Sequence, residues 1–217
     1  MIALLPGEAR AHFPRFMDQM LDLRLSVGRS RQVRSSGPVH RLAALDYFDS
    51  LDPLYVLALD DNECVAGALR LLPTTGGTML NDAFAAALPE GQRIESPLIW
   101  EASRWTLRGV EDPGGQAPYI DATIGQLGVA LNEIAEAAAL THLIAVYDSA
   151  VHQLLSLRGC AGEALASLRV DGVEMHAVHY EIGPALDAQF RRLAPDLAFP
   201  SVNLADLERR RSSGFRT

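Results

Sequence analysis

Trp100-Glu101-Ala102-Ser103-Arg104-Trp105 constrains this chain more than any other stretch, because it sets a carboxylate, a hydroxyl and a guanidinium into a run otherwise apolar enough to be buried. Side chains of a strand alternate between faces. Regular alternation therefore predicts Glu101, Ser103 and Trp105 on one face, with Trp100, Ala102 and Arg104 on the other. Two charges near a sheet interior need partners, since a buried charge is costly unless it is paired or used. The chain offers them upstream: Asp46 and Asp49 in Leu45-Asp46-Tyr47-Phe48-Asp49, and Arg70 in Ala68-Leu69-Arg70-Leu71-Leu72-Pro73.

Length and composition set the frame. With 217 residues, 48% of them hydrophobic, one well-filled domain over 1–217 is expected. No apolar run reaches the ~18 residues of a spanning helix, and the N-terminus lacks the pattern of a signal peptide, so the expected location is the cytoplasm with no membrane span. Every one of the 19 basic residues is Arg, which excludes lysine Schiff-base chemistry, and the net charge is −8. An acidic chain is poorly suited to neutralising phosphates, so no nucleic-acid partner is expected. The Arg209-Arg210-Arg211 run directly follows Asp206-Leu207-Glu208 and reads as a solvated helix end. Cys64 and Cys160 are too few and too far apart for a metal cluster or a disulfide framework and read as small buried hydrophobes. No phosphate-binding loop, dinucleotide fingerprint or His-Glu-x-x-His element occurs. His176 and His179, three apart, fall on opposite sides of an ideal strand, which speaks against a metal pair.

Apolar spacing from Phe13 to Leu23 predicts an amphipathic helix over 10–27 ending near Gly28. Residues 26–42 read as a mobile segment. Two apolar runs around Asp60-Asp61-Asn62-Glu63 predict an antiparallel hairpin. A short helix over 79–88, a strand over 97–107, a long Ala-rich helix over 120–140 and a buried strand over 141–147 follow. Asp148 is placed to cap a helix through Leu157 that stops at Gly159. A strand over 174–182 and a polar tail over about 200–217 complete the chain.

That order predicts an α/β (α+β) single-domain fold, a mixed sheet with helices on its faces. It fits a GNAT-like acyltransferase, in which two neighbouring strands splay into a V-shaped slot for an acyl-pantetheine arm, here between 100–107 and 142–147. The residues also resemble the LuxI-type acyl-homoserine-lactone synthases over roughly 20–160. Arg24, Asp46-Tyr47-Phe48-Asp49, Arg70-Leu71-Leu72-Pro73-Thr74, Met79-Leu80 with Phe84, Trp100-Glu101-Ala102-Ser103-Arg104 and Leu157-Arg158-Gly159 carry the likeness together, in order.

The resemblance implies an acyltransferase that joins S-adenosylmethionine, a substrate and not a resident cofactor, to an acyl group delivered by acyl carrier protein or acyl-CoA. The product is an N-acyl-homoserine lactone and the by-product methylthioadenosine. It gives Glu101 the part of general base, because a protonated amine has no lone pair for attack. It places Ser103, with neighbouring backbone amides, at the thioester, where they stabilise the oxyanion. Arg24, Arg34, Asp46, Asp49, Arg70 and Arg104 fall on the substrate side; a plain buried ion-pair network explains Arg24, Asp46 and Arg70 as well. Trp105, Ala145 and Tyr147 fall on the acyl pocket, with ordinary core packing the equal alternative for the two aromatics. Ala145 stands where members that make 3-oxo products often carry Thr, which implies an acyl chain unsubstituted at the third carbon. No metal is implied.

The chain departs from the family on the acceptor side, with Gly28 in place of a Phe and Arg34 in place of a Trp, and Ala44 where an acidic residue often stands. Gln153 and Leu157 replace basic residues that help some relatives dock their carrier protein, leaving Arg158 nearby. Two alternatives therefore stay open: an acyltransferase of this fold with another amine acceptor, and a silent relative that binds an acyl donor. Chain length and oligomeric state are unspecified by the sequence.

Overall fold

One strand breaks the regular alternation of its side chains, and that strand positions the polar residues. The computed structural model describes residues 1–31, 45–88, 92–110, 118–170, 172–195 and 201–214. In chain order the elements are β1 (Ile2–Pro6), α1 (Pro14–Arg31), β2 (Leu54–Leu59), β3 (Val65–Pro73), α2 (Met79–Asp82), β4 (Ile99–Leu107), α3 (Pro118–Ala137), β5 (His142–Asp148), α4 (Ser149–Leu157), β6 (Glu163–Val170), β7 (Val173–Glu181), α5 (Pro184–Arg191), β8 (Ser201–Val202) and α6 (Leu204–Gly214). Among the described residues the strands form one sheet in the order β6-β7-β5-β4-β3-β2-β1-β8. The β4–β5 and β1–β8 pairs are parallel and the remainder antiparallel. A mixed sheet with helices on both faces is the predicted α/β (α+β) class.

Local chemistry explains the firmest elements. The β2–β3 turn is tied by Asp60, whose Oδ1 accepts from the amides of Asn62 and Cys64, both at 2.9 Å. Asp148 caps α4 by accepting from the amides of Ala150 and Val151 at 3.0 Å, and Gly159 takes the left-handed φ of 62° that ends it.

Several expectations are corrected. The first helix starts at Pro14, whose missing N–H costs nothing in a first turn, and it runs through Gly28 to Arg31. An interior glycine weakens a helix by about 1 kcal/mol without stopping it. The predicted mobile segment 26–42 is thus helical up to 31, and 32–42 lies outside the described residues. The helix expected over 79–88 is one α-turn followed by a 3-10 turn at Ala85–Ala87. Helix α5 was not foreseen, and the expected polar tail over about 200–217 contains β8 and helix α6; Leu186 and Phe190 of α5 and Leu204 and Leu207 of α6 are buried. The strands β1 and β6 were not foreseen. Of the two cysteines only Cys160 is buried, and both are free thiols.

Apolar residues gather on both faces. On one, α3, α4 and α5 cover a cluster including Leu71, Ala102, Trp105, Ala145, Tyr147 and Val178. On the other, α1 and α6 cover Leu5, Tyr55, Leu57 and Ala68 at one end, while α2 covers Ile144, Val146 and Ala177 at the other. Polar residues of β3 and β4 fill the strip between these two clusters.

Helices α3 and α5 approach so closely that a Cβ at Gly128 would lie 2.0 Å from the Phe190 ring. Gly128→Ala is therefore expected to destabilise the fold by about 1–3 kcal/mol through overpacking, despite its better helix propensity. Chemical unfolding of the variant checks this, and a gain in stability would contradict it.

Candidate active site

An extra residue in β4 creates the site. Between the pairs Ala68↔Thr106 and Arg70↔Ser103, β3 advances two residues and β4 three. The surplus is absorbed at Arg104, at a φ of 57°, a β-bulge with a non-glycine residue in the left-handed region. The expected alternation therefore holds only up to Ser103. Beyond it Trp105 turns to the face of Trp100 and Ala102, packing in the α3 cluster, and Arg104 stays on the face of Glu101 and Ser103, bonded to Asp46. Parallel pairing of β4 and β5 stops at Ser103↔Val146 although the strands run on to Leu107 and Asp148. The two strands part there.

Cross-strand registers place Tyr55, Arg70, Ser103, Val146 and Ala177 in one row. Leu71, Ala102, Ala145 and Val178 form a parallel row on the opposite face. The sequence-derived residues consequently sort into two groups. Glu101, Ser103, Arg70, Arg24, Asp46, Asp49 and Arg104 share the polar strip, and Trp105, Ala145 and Tyr147 share the apolar face behind it, where the Trp105 and Tyr147 rings meet edge to face at 6.1 Å. The indole N–H of Trp105 donates to the Ala102 carbonyl at 3.0 Å, which fixes the ring. Burial pushes the Tyr147 phenol up to about 12, so it stays neutral.

The charged residues form one chain of contacts. Arg24 Nη1 binds both Asp49 oxygens at 3.0 and 3.1 Å. Arg70 Nη1 reaches Asp46 at 2.5 Å and Asp49 at 3.2 Å, and Arg104 Nε reaches Asp46 at 2.8 Å. Tyr55 donates its hydroxyl to Asp49 at 3.0 Å, and Phe48 lies under the Arg70 guanidinium at 5.3 Å. A capping box closes the 45–50 turn: Asp49 Oδ2 accepts from the Asp46 amide and Asp46 Oδ1 from the Asp49 amide. The side chains of Arg24, Asp49 and Arg70 are 3%, 3% and 0% exposed, whereas Asp46 and Arg104 keep 23% and 36%. Only the last two are open to a ligand; the first three hold them in place. Burial alone would raise the Asp49 carboxyl, but the Arg24 and Arg70 guanidinium groups hold it at about 2.

Glu101 stands apart from these ion pairs. It is fully buried, and its Oε2 accepts from the Leu80 amide at 2.7 Å. That amide belongs to the first turn of α2, whose N–H groups have no partner inside the helix. Thr78 caps the same turn by accepting from the Asn81 amide at 3.2 Å. The other oxygen, Oε1, is buried and receives no hydrogen bond among the described residues. Burial raises the Glu101 pKa, opposed by the Leu80 amide, the Ser103 hydroxyl and Arg70.

Arg34 and Ala44 lie outside the described residues. Arg158 is engaged with Asp121 across α4 and α3 at 2.5 Å. His176 and His179 face apart, stacking on His152 and His142 respectively. Groups of three or more metal-ligating side chains are absent among the described residues, and no described helix is long and apolar enough to cross a membrane. Sequence reasoning missed the Leu80 amide and Tyr55; a tyrosine inside the apolar run Leu54–Leu59 was the signal for the latter, since a buried hydroxyl needs a partner.

Autoinducer synthase is the family that matches, over residues 14–177. The chain belongs to the autoinducer synthase family. Relatives include acyl-homoserine-lactone synthases of Rhizobium etli, 30% identical over 142 residues covering 63% of each chain, and of Acinetobacter nosocomialis, 34% identical over 137 residues covering 61% of this chain and 74% of that one. The match thus takes in 63% of the length of the Rhizobium protein. Among solved structures, the acyl-homoserine-lactone synthase LasI superposes with a TM-score of 0.67 at 21% identity, covering 94% of this chain and 98% of that one. The CoA-dependent synthase BjaI, with S-adenosylmethionine and isopentyl-CoA, gives 0.65 at 19%, covering 94% and 96%. These likenesses establish the LuxI-type, GNAT-like fold.

Because the folded pKa of Asp49 lies below its ordinary 3.8, its contribution to stability is full above that value and is lost as the pH falls towards about 2. Asp49→Asn should cost about 3 kcal/mol at pH 7, leaving buried arginines uncompensated, and much less near pH 2. Urea midpoints of both proteins across this range check it; a difference independent of pH would contradict it.

Proposed function

We propose that the protein makes an N-acyl-L-homoserine lactone from S-adenosylmethionine and an acyl thioester. The observation that carries this reading is Glu101: a buried carboxylate with one oxygen tied to the Leu80 amide and the other without a donor, beside the point where β4 and β5 part. Such a group has an open lone pair and, through burial, raised basicity.

On this reading Glu101 takes a proton from the substrate ammonium, directly or through a water. The freed amine attacks the thioester carbonyl carbon, the C–N bond forms, and the C–S bond breaks to release the thiol. The methionyl carboxylate oxygen then attacks the carbon next to the sulfonium; the lactone closes and methylthioadenosine leaves. Asp46 and Arg104, the exposed end of the charged chain, suit the cationic and carboxylate groups of the acceptor. The acyl arm passes between the parted strands towards Trp105, Ala145 and Tyr147.

The donor is a phosphopantetheine thioester, on coenzyme A or on acyl carrier protein. Purified protein incubated with S-adenosylmethionine and a panel of both kinds of thioester should yield an acyl-homoserine lactone and methylthioadenosine by mass spectrometry. Thiol release without methylthioadenosine would assign another amine acceptor, and no turnover with any donor would overturn the reading. Ala145 is buried in the acyl-side row, and Ala145→Thr should shift donor preference towards 3-oxo chains; an unaltered ranking would remove Ala145 from the pocket.

A further inference from the structure

We infer that Arg70 turns the Ser103 hydroxyl onto Glu101, making Ser103 and Arg70 positioning residues for the base and leaving the thioester oxyanion to other donors. This inference rests on the reading of Glu101 as the base.

Arg70 Nε and Nη2 both donate to Ser103 Oγ, each at 3.3 Å. A serine hydroxyl has two lone pairs and one hydrogen, and a guanidinium accepts nothing. With its lone pairs facing the two Arg70 N–H groups, the hydroxyl hydrogen is directed away from β3. Glu101 lies two residues back on the same face of β4, and its Oε1 is the buried oxygen without a hydrogen-bond partner; a carboxylate oxygen has two lone pairs, so one that accepts from Ser103 keeps the other for the substrate proton. All three side chains are fully buried, and a hydrogen bond between buried groups is stronger than one in water. The other guanidinium nitrogen of Arg70 is held by Asp46 and Asp49, which fixes the fork.

The surroundings of Glu101 are few. Helix α2 brings the amides of Met79 and Leu80, β3 brings Arg70, and β5 brings apolar Ile144 and Val146. Arg70 is the charged group that acts most strongly on Glu101. Ser103 therefore links the acceptor-side carboxylates to the base through one guanidinium. A hydroxyl that donates to a carboxylate favours its ionised form. Removing it raises the Glu101 pKa and moves the acidic limb of the rate profile to higher pH.

The test titrates Glu101 without requiring turnover. The carboxyl stretch of Glu101 is followed by infrared difference against Glu101→Gln in the otherwise native chain and in Ser103→Ala and Ser103→Thr. Ser103→Ala should raise the Glu101 pKa by about one pH unit, and Ser103→Thr, which keeps a hydroxyl, should restore it. An unmoved pKa in Ser103→Ala overturns the inference, even if the protein makes no lactone. Where turnover is measurable, Ser103→Ala should shift the acidic limb of kcat while keeping most of the rate at high pH. A loss of about 10²–10³ in kcat at every pH, with no shift, is the signature of an oxyanion donor and would return Ser103 to the thioester. Arg70→Lys keeps the charge but not the fork and should move the pKa in the same direction; if that variant does not fold, the two Ser103 variants decide alone.

Discussion

The bulge at Arg104 is the feature on which the site depends. One surplus residue in β4 keeps Arg104 on the polar face beside Ser103 and sends Trp105 to the apolar face. Without it Arg104 would enter the α3 cluster and Trp105 would lie among the charged residues. Holding a non-glycine residue at a φ of 57° costs about 1 kcal/mol or more. The Asp46 carboxylate at 2.8 Å and the fixed indole of Trp105 offset that cost. The same irregularity coincides with the end of β4–β5 pairing, so a local strain in the backbone and the opening in the sheet occur at one place.

Three guanidinium groups and two carboxylates then connect α1, the 45–50 turn, β3 and β4. Pairing buried charges seldom adds net stability over an apolar alternative, but breaking such a set is expensive. The arrangement acts as a fixture: Arg24, Asp49 and Arg70 are closed to solvent and hold Asp46 and Arg104 at the surface of the strip. Glu101 is kept outside that fixture, and Arg70 and Ser103 are the members of the strip that act on it. A carboxylate paired directly with an arginine would be a weak base; for Glu101 burial outweighs the amides, the hydroxyl and Arg70 that oppose it, and the carboxylate keeps its basicity.

Elements that follow local rules were legible in the sequence. Asp60 at the hairpin turn, Asp148 at the start of α4 and Gly159 at its end each act on neighbours a few residues away, and the residue pattern carries them. The partners Asp46, Asp49 and Arg70 were also legible, because a charge in an apolar run demands one. The bulge was not: strict alternation is the only period a strand sequence shows, and one inserted residue leaves it unmarked. The Leu80 amide is a backbone group with no sequence signature. In strand β6 apolar Ala166 and Leu168 alternate with polar Ser167 and Arg169, but Leu165 is out of step and the pairing with β7 shifts register between Ala164 and Ala166, so the segment carries no clean period of two. Helices α5 and α6 bury only a few side chains each, so α5 carried no strong apolar period and α6 fell within the expected polar tail.

Glu101 also has a purely structural reading, as the buried carboxylate that satisfies α2 through the Leu80 amide. Glu101→Gln separates the two, because the carboxamide oxygen can still accept that hydrogen bond while the side chain can no longer take a proton. Lactone formation by the purified variant, measured beside its thermal unfolding at neutral pH, is the most direct test. A base predicts turnover lowered by about 10²–10⁴ in a protein as stable as the parent or more so, since burial disfavours the charge that is removed. Unchanged turnover would leave Glu101 as a helix cap and contradict the account.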